Sequence, residues 1–225
     1  MVVTHIFFGG IGTLVETSDL QFEAFNLALA ENHIDYSWDR QSYVKSLSNS
    51  GGQQRLKALR LKDGSSLSDL QLAQVHADKT RIYNQLMRNQ GLKLRLGGSE
   101  LISSAKRLGV KLVWATTTKQ DNIDAIFDAS NGHLDKAMFV KITNDRLIIK
   151  QKPDPEVYLK LLSSLNLKVS EVLVIEDSIS GVDSAMNASL FTLAFPGEMT
   201  SETVFSASCQ TITSLAEVIS YIDKA

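Results

Sequence analysis

Cysteine is nearly absent from this sequence, with Cys209 the single example among 225 residues. One thiol excludes an internal disulfide framework and any metal site built from several cysteines. We therefore predict a protein of a reducing compartment, with a cytoplasmic location. We interpret Cys209 as a small buried hydrophobic residue.

The sequence also lacks an excess of either charge and any long apolar run. Its 23 Lys and Arg residues nearly balance 25 Asp and Glu residues, giving a formal net charge of −2. Such a chain has no overall basic field to attract nucleic acid or anionic lipid. No apolar run approaches the roughly 18–20 residues of a membrane span, and the N-terminus lacks a charged leader with a cleavage site. We therefore expect neither nucleic acid nor a membrane as a partner.

What is present indicates a folded α/β protein, since 44% hydrophobic and 21% charged residues are ordinary for a globular chain. Short apolar runs that end in glycine or polar residues predict buried strands, and apolar stripes of helical spacing lie between them. The predicted strands are 5–8, 110–115, 172–175 and 191–195, with 137–142 a weaker candidate. The predicted helices are 100–108, 156–165, 181–188 and a C-terminal helix opened by a capping box at Ser214 and Glu217. This alternation predicts a parallel sheet covered on both faces, with ligands beyond the carboxyl ends of its strands.

Residues 17–93 interrupt the alternation, because they contain helical stripes and no convincing strand. A capping-box spacing at Ser68 and Gln71 precedes the second stripe. The apolar positions of the two stripes are Phe22, Phe25 and Leu29, then Leu72, Val75, Ile82 and Leu86. We interpret 17–93 as an all-helical domain inserted into a core made of 1–16 and 94–225, with 88–91 as the return hinge.

Groups that suit a phosphate and a divalent cation follow several of the predicted strands. The glycine-rich loop 9–14 can present backbone N–H groups to an anion, and Thr116 offers a hydroxyl. Lys152 stands in Lys-Pro-Asp-Pro, where two prolines restrict the backbone beside the ammonium. Glu176 and Asp177 are paired carboxylates at the end of an apolar strand. A lysine and two carboxylates at one sheet edge suit an oxygen-rich site for Mg²⁺ and phosphate.

Each of these features taken alone also has a structural interpretation. Loop 9–14 is then an ordinary turn, Thr116 caps the following helix, and Lys152 is a solvated surface residue. Residues 176–178 are then a helix start that places acids near the positive end of the helix dipole. Their combination, in this order and within an α/β pattern, favours a functional site.

The order and spacing of these segments resemble the haloacid dehalogenase superfamily of aspartate-nucleophile phosphatases over nearly the whole chain. Its first motif, Asp-x-Asp-Gly-Thr-Leu after a strand, corresponds to residues 9–14, Gly-Gly-Ile-Gly-Thr-Leu. Its second, a Thr or Ser after a strand, matches Thr116, and its third, Lys-Pro-x-Pro, matches Lys152. Its fourth, Glu-Asp-Ser-x-x-Gly, matches residues 176–181. The resemblance implies a Rossmann-like core with a parallel sheet and a mobile helical cap at 17–93.

A closer resemblance is to the CbbY-like sugar-bisphosphate phosphatases, near the β-phosphoglucomutase group. Their first cap helix, roughly Thr-Glu-x-x-His-x-x-Ala-Phe-Asn, is similar to residues 17–26, and their cap motif Gly-Gly-Lys-Glu-Arg is similar to residues 51–55. The phosphate-binding residues that the resemblance implies are Gly12, Thr13, Thr116, Thr117 and Lys152. The substrate-contacting cap residues that it implies are Gly51, Gly52, Gln53 and Arg55, and the metal-binding pair is Glu176 and Asp177.

The chain departs from this family pattern at the positions that carry the chemistry. Gly9 stands where the family has its nucleophilic aspartate, and Ile11 stands where it has its general acid/base aspartate. Glycine has no side chain to attack phosphorus, and isoleucine cannot transfer a proton. The cap positions that usually hold Glu, His and Lys are Ser18, Gln21 and Gln53. Glycines, prolines and core positions match the pattern, so the losses concentrate on catalysis, and no catalytic group is intact.

Losing two carboxylates removes much of the reason to hold a metal. The family pattern of four carboxylates, one lysine and one Mg²⁺ has the same net charge as Glu176, Asp177 and Lys152 without any metal. We therefore expect Mg²⁺ binding to be weak or absent, and we hypothesise that Lys152 pairs with Asp177.

The predicted function is a phosphatase-like fold that is inactive or severely impaired and that binds a small phosphorylated metabolite or a protein. The alternative is an active Mg²⁺-dependent sugar-phosphate phosphatase that uses a non-standard nucleophile, such as a water activated by Glu176 or Asp177. Phosphate release from sugar phosphates distinguishes the two.

Overall fold

A computed structural model describes residues 2–47 and 51–223. The chain divides into two compact units, Met1–Glu16 with Gly91–Ala225 and Thr17–Gln90, which we call the sheet unit and the helical unit. The second boundary lies at 90–91 rather than at 93–94. The reason is that residues 92–94 bond to the sheet unit: the Leu92 N–H donates to the Ala129 carbonyl at 2.7 Å, and Leu94 pairs with Val15.

The sheet unit contains a six-stranded sheet in the order β3-β2-β1-β4-β5-β6, with every neighbouring pair parallel. The strands are β1 His5–Phe8, β2 Lys111–Trp114, β3 Phe139–Ile142, β4 Val172–Glu176, β5 Phe191–Ala194 and β6 Gln210–Thr211. The five predicted strands are confirmed, including the weaker candidate that became β3. Strand β6 was not predicted, because two exposed polar residues carry no apolar run.

Helices flank this sheet: α5 Gly98–Leu108, α6 Gln120–Ala129, α7 Glu156–Leu165, α8 Ile179–Asn187 and α9 Ile219–Ile222. Successive strand residues point to opposite faces, and β1, β2, β4 and β5 carry buried residues on both faces. Phe7 and Val174 share a buried cluster with Leu161 of α7 and Ala185 of α8. Phe8 and the buried Trp114 belong to a separate group of aromatic rings, which includes Phe127 of α6.

The four predicted helical regions of the sheet unit are confirmed, although the C-terminal one begins as a 3₁₀ turn, Leu215–Val218, before α9. Its capping box forms as predicted between Ser214 and Glu217. Helix α6 was not among the predicted elements. Cys209 is buried, as expected.

The helical unit consists, within residues 17–47 and 51–90, of α1 Ser18–Glu31, α2 Arg40–Ser46, α3 Gly52–Ala58 and α4 Asp69–Gln90. Phe25 of α1 is fully buried and lies against the rings of Trp38 and Tyr43. The predicted box forms before α4, where Ser68 and Gln71 bond reciprocally. Nowhere in the described part of the chain is a helix both long enough and apolar enough to cross a membrane.

Candidate functional site

The carboxyl ends of β2, β1 and β4 bring the predicted site residues of the sheet unit to one edge of the sheet. The register pairs Phe8 of β1 with Trp114 of β2 and with Ile175 of β4. The next residue of each chain segment, Gly9, Ala115 and Glu176, therefore lies at the same level. Parallel strands of equal register necessarily present their following loops together, which is where this fold class places ligands.

Lys152 reaches this edge from the segment before α7 and forms a buried ion pair with Glu176. Its Nζ lies 2.6 Å from Glu176 Oε1, and the two side chains are 11% and 1% exposed. The same ammonium donates to the carbonyls of Gly9 and Ala115, each at 3.0 Å. An ammonium has three hydrogens, so these three acceptors satisfy Lys152 completely.

The hypothesis that Lys152 pairs with Asp177 is therefore wrong. Glu176 is the last residue of β4 and lies level with the Gly9 and Ala115 carbonyls that hold the ammonium. Its carboxylate also accepts a hydrogen bond from the Tyr158 hydroxyl. Burial and the neighbouring Glu176 carboxylate raise the pKa of Tyr158 well above its usual value, so this hydroxyl is a donor at neutral pH.

Glycines of the first loop leave the space that these carboxylates occupy. A methyl carbon added at Gly9 would lie 2.0 Å from Glu176 Cδ, and one added at Gly12 would lie 2.0 Å from Asp177 Oδ2. A carbon added at Gly10 would lie 2.4 Å from Asp177 Oδ1. Burial, and then the Glu176 charge, raise the pKa of Asp177 to about 6. The two acids thus lie directly against loop 9–14, which has no acidic residue of its own.

The predicted threonines lie in the loops after β1 and β2, where their hydroxyls hold local backbone. Thr13 ends the 3₁₀ turn Ile11–Thr13, is fully buried, and donates to the Gly10 carbonyl at 2.7 Å. The Thr116 hydroxyl accepts from the Thr118 N–H at 3.2 Å. Thr116 therefore stabilises the turn before α6 rather than capping that helix, whose N-cap is Lys119. Thr117, between Thr116 and Thr118 in the chain, is half-buried.

Ser178 supports the structural interpretation of the fourth motif in part. It is the N-cap of α8, and its hydroxyl accepts from the Gly181 N–H at 3.2 Å. Residues 176–178 are thus both a helix start and the source of the two acids at the site.

Arg95 is a site residue that the sequence analysis missed. Its guanidinium donates to the carbonyls of Gly12 at 2.6 Å, Phe195 at 2.9 Å and Pro196 at 2.5 Å. It also stacks on the Phe195 ring, with 3.5 Å between the guanidinium carbon and the ring centroid. Burial lowers the pKa of Arg95, and the charges of Glu16 and Asp177 oppose that shift. Arg95 clamps the first loop to the segment after β5.

The oxygen donors at this edge do not fit a divalent cation. Mg²⁺ demands near-ideal octahedral oxygen coordination and gives up its hydration shell reluctantly. Neither Gly9 nor Ile11 has a side-chain oxygen, and one oxygen of Glu176 is already occupied by Lys152 and Tyr158. Across residues 2–47 and 51–223, no group of three or more His, Cys, Asp or Glu side chains is arranged to hold a metal.

The helical unit holds a second group of polar residues around Phe25. The buried Lys79 lies 5.0 Å from the ring centroids of Phe25 and Tyr83, and its Nζ donates to Gln21 Oε1 at 3.2 Å. Burial, and then the charge of Arg55, lower the pKa of Lys79 to about 8. In the described part of the chain, no carboxylate lies within ion-pair distance of Lys79.

Arg55 belongs to the same cluster, whereas the other predicted cap residues lie at the start of α3. Its guanidinium is 5.8 Å from the ring centroids of both Phe25 and Tyr43, and its buried Nε has no hydrogen-bond partner among the described residues. Gly51 and Gln53 are exposed, and Gly52 is half-buried. We call Arg55, Lys79 and Gln21 the cationic cluster.

Lys79 could have been found from the sequence, because it continues the apolar stripe 72, 75, 82 and 86 at helical spacing. A lysine on a buried helical face is rare, and such residues mark functional sites more often than surface lysines do. Tyr158 and Arg95 carry no comparable signal, because their roles depend on partners distant in the sequence.

Comparison with known proteins identifies the family to which this fold belongs. A family model for haloacid dehalogenase-like hydrolases matches residues 12–195. The chain is 32% identical to the protein CbbY of Cereibacter sphaeroides, covering 96% of this chain and 94% of that protein. It is 34% identical to the protein CbbY of Rhodobacter capsulatus, covering 92% and 91%.

Solved structures give the same result for the fold. A crystal structure of a CbbY variant from Rhodobacter sphaeroides in complex with xylulose-(1,5)bisphosphate superposes with a TM-score of 0.83 at 32% identity, covering 96% of both chains. CbbY from the same organism in complex with phosphate gives the same values. A phosphorylated carbohydrates phosphatase of Thermotoga maritima is 32% identical over 180 residues, 80% of this chain and 78% of that protein.

Proposed function

The chain belongs to the haloacid dehalogenase-like hydrolase family, and from this premise we propose that it binds a phosphorylated sugar without hydrolysing it at an effective rate. One observation carries the proposal. Gly9 and Ile11 stand where the family has its nucleophile and its acid/base, and the Glu176 carboxylate, tied to Lys152, lies in the space beside Gly9.

The expected loss of rate follows from the missing groups. General acid–base assistance typically contributes roughly 10²–10⁴-fold. An enzyme without its nucleophile retains roughly 10³–10⁴-fold over water through binding and electrostatics alone. Uncatalysed phosphate-ester hydrolysis is so slow that such a residual is negligible for a cell.

Phosphate recognition is assigned by this proposal to two separate groups of residues. In the sheet unit, the backbone N–H groups of Gly12 and Thr13 and the hydroxyls of Thr116 and Thr117 contact a phosphate, while Lys152 binds it only when Glu176 releases the ammonium. In the helical unit, the cationic cluster supplies a lysine and an Arg55 Nε that have, within residues 17–47 and 51–90, no carboxylate partner and no hydrogen-bond partner respectively. Arginine and lysine donors of this kind bind phosphate oxygens through charge-assisted hydrogen bonds.

The choice of a sugar rests on the relatives, since a CbbY structure contains xylulose-(1,5)bisphosphate and another relative is a phosphorylated carbohydrates phosphatase. The proposal includes a cytoplasmic location, which the near absence of cysteine supports.

The first test is calorimetric binding combined with an assay of phosphate release. The ligands are a panel of sugar mono- and bisphosphates that includes xylulose-1,5-bisphosphate, and the proteins are the wild type, Arg55→Met and Lys79→Met. Binding that both variants weaken by at least about tenfold, with no phosphate release above that of Lys152→Ala, is the expected result. Lys57→Met, an exposed lysine of α3, is the matched control and should bind like the wild type.

An active hydrolase with a non-standard nucleophile is the second candidate, and one observation favours it. Glu176 Cδ lies 2.0 Å from the position of a β-carbon at residue 9, so a carboxylate does stand close to the family's nucleophile position. Phosphate release that is lost in Glu176→Gln would support this candidate and would overturn the proposal of an ineffective enzyme.

A further inference from the structure

We infer that the candidate site of the sheet unit is metal-independent, because Lys152 takes the place of a divalent cation. Lys152 holds the Glu176 carboxylate in a pocket that exists only because residues 9 and 181 are glycines. This inference concerns the ion that balances the site and does not rest on the proposed ligand. It assigns Gly9 a structural role, which is to leave the space that the Glu176 carboxylate occupies.

The carboxylate pocket is the space between Gly9 and Gly181 that contains the Glu176 carboxylate. A β-carbon at Gly9 would lie 2.0, 2.2 and 2.5 Å from the three carboxylate atoms of Glu176. A β-carbon at Gly181 would lie 2.1 Å from Oε2 and 2.3 Å from Cδ. Real side-chain carbons do not approach other atoms so closely, so any side chain at either position requires the carboxylate to move.

The ammonium of Lys152 and one oxygen of Glu176 find their partners inside this pocket without a metal. Oε1 receives the Lys152 ammonium and the Tyr158 hydroxyl. The remaining two ammonium hydrogens point to the Gly9 and Ala115 carbonyls. A buried charge pair is stable only when it is matched and its other hydrogen-bonding capacity is used, and the Lys152 ammonium meets both conditions here.

A divalent cation at this site would either displace the Lys152–Glu176 pair or lie buried beside the Lys152 ammonium, which is a like charge. Asp177 would offer a second carboxylate, but Gly9 and Ile11 supply no side-chain donor. Mg²⁺ also loses its hydration shell reluctantly, so it gains too little at this site to displace the ion pair.

The inference makes a specific prediction about residue 9. An aspartate there fills the carboxylate pocket, moves Glu176 out of it, and places three carboxylates around one loop. Gly9→Asp should therefore create an Mg²⁺ site, whereas Gly9→Asn has nearly the same shape without the charge and should not.

Isothermal titration with MgCl₂ tests this on the wild type, Gly9→Asp and Gly9→Asn. We expect no heat of binding for the wild type up to about 1 mM Mg²⁺, and an affinity for Gly9→Asp at least about tenfold tighter than for Gly9→Asn. A wild-type dissociation constant tighter than about 0.1 mM overturns the inference. Equal affinities of the two variants overturn it as well, because both displace Glu176 and the carboxylate added at residue 9 would then contribute nothing to Mg²⁺ binding.

A second variant keeps the test decisive if Gly9→Asp does not fold. Lys152→Met removes the resident cation and leaves the buried acids without a counter-ion. Mg²⁺ should raise the melting temperature of Lys152→Met and leave that of the wild type unchanged, compared in each case with EDTA. Mg²⁺ stabilisation of the wild type as large as that of the variant contradicts the inference.

Tight Mg²⁺ binding without phosphate release would overturn this inference alone, and metal-free phosphate release would overturn the proposed function alone.

Discussion

Each of the two units buries a lysine, and they treat its charge in opposite ways. In the sheet unit, Lys152 is matched by the Glu176 carboxylate at 2.6 Å and by two carbonyls. In the helical unit, Lys79 is buried with one neutral amide and two aromatic rings, and Arg55 adds a like charge. In a matched pair each buried charge neutralises the other. A buried cation without a carboxylate partner has a charge that an anionic ligand could neutralise. The sheet unit thus neutralises its buried lysine internally, whereas the helical unit leaves its buried lysine without a carboxylate partner among its described residues.

The largest effect is expected when the matched pair is broken on one side. Lys152→Met leaves the Glu176 carboxylate buried without its counter-ion, which costs about 3–5 kcal/mol in comparable sites. Lys152→Met/Glu176→Gln removes both charges and should recover much of that loss. Urea denaturation of the two variants measures the difference. If the double variant is no more stable than the single one, the two residues are not a coupled pair.

Replacing Lys79, the lysine without a carboxylate partner in the described part of the chain, should stabilise the protein rather than destabilise it. The pKa of Lys79 is lowered from 10.5 to about 8, so Lys79→Met should stabilise the ligand-free protein at pH 7 by about 2–3 kcal/mol. Between pH 8 and pH 10.5 the unfolded chain binds the proton more strongly than the folded one, so wild-type stability rises with pH. The advantage of Lys79→Met should therefore shrink over that range.

Denaturation of both proteins at pH 7 and pH 10 measures this effect. Lys57→Met changes an exposed lysine of the same unit and should alter stability by no more than about 0.5 kcal/mol. A Lys79→Met variant that is less stable than the wild type at pH 7 would show that the cluster is already satisfied within the protein.

Filling the carboxylate pocket should have a smaller effect that depends on Glu176. Gly9→Ala places a carbon 2.0 Å from Glu176 Cδ, and such overpacking costs about 1–3 kcal/mol. In a Glu176→Ala background the obstacle is gone, so the same substitution should cost clearly less. The four proteins form a double-mutant cycle, measured by thermal or urea unfolding. Additive losses would mean that Gly9 is required for its backbone and not for the space it leaves.

The smallest effect is expected at Arg95, whose charge meets three carbonyls instead of a carboxylate. Arg95→Lys keeps the charge and loses the planar fork that reaches them together, so it should cost about 1–2 kcal/mol. Hydrogen exchange of loop 9–14 should increase in this variant relative to Lys106→Arg, an exposed change in α5. Unchanged exchange would remove Arg95 from the description of the site.

Much of the fold could be predicted because it follows from local patterns. The run His5–Phe8 became β1 at its predicted bounds, and Ser214 and Glu217 formed their capping box. Strand β6 could not be predicted, since Gln210 and Thr211 are polar and exposed and become a strand only by pairing with β5.

The candidate site was predicted in its members and not in its pairing. Lys152, Glu176 and Asp177 were named from motifs, yet the choice of Glu176 as the partner of Lys152 depends on register and on the space beside Gly9. The roles of Tyr158 and Arg95 depend on residues that are distant in the chain, which no spacing rule reveals.

The sequence by itself determined the alternation of strands and helices, the helical insertion, and a glycine without any side chain at residue 9. These are properties of residue type and of short-range periodicity, and they need no partner. Tertiary structure alone decided where each charge finds its counter-charge. That outcome depends on atoms brought within about 3 Å from separate strands and helices, because electrostatic and hydrogen-bond energies in a buried site change steeply with distance.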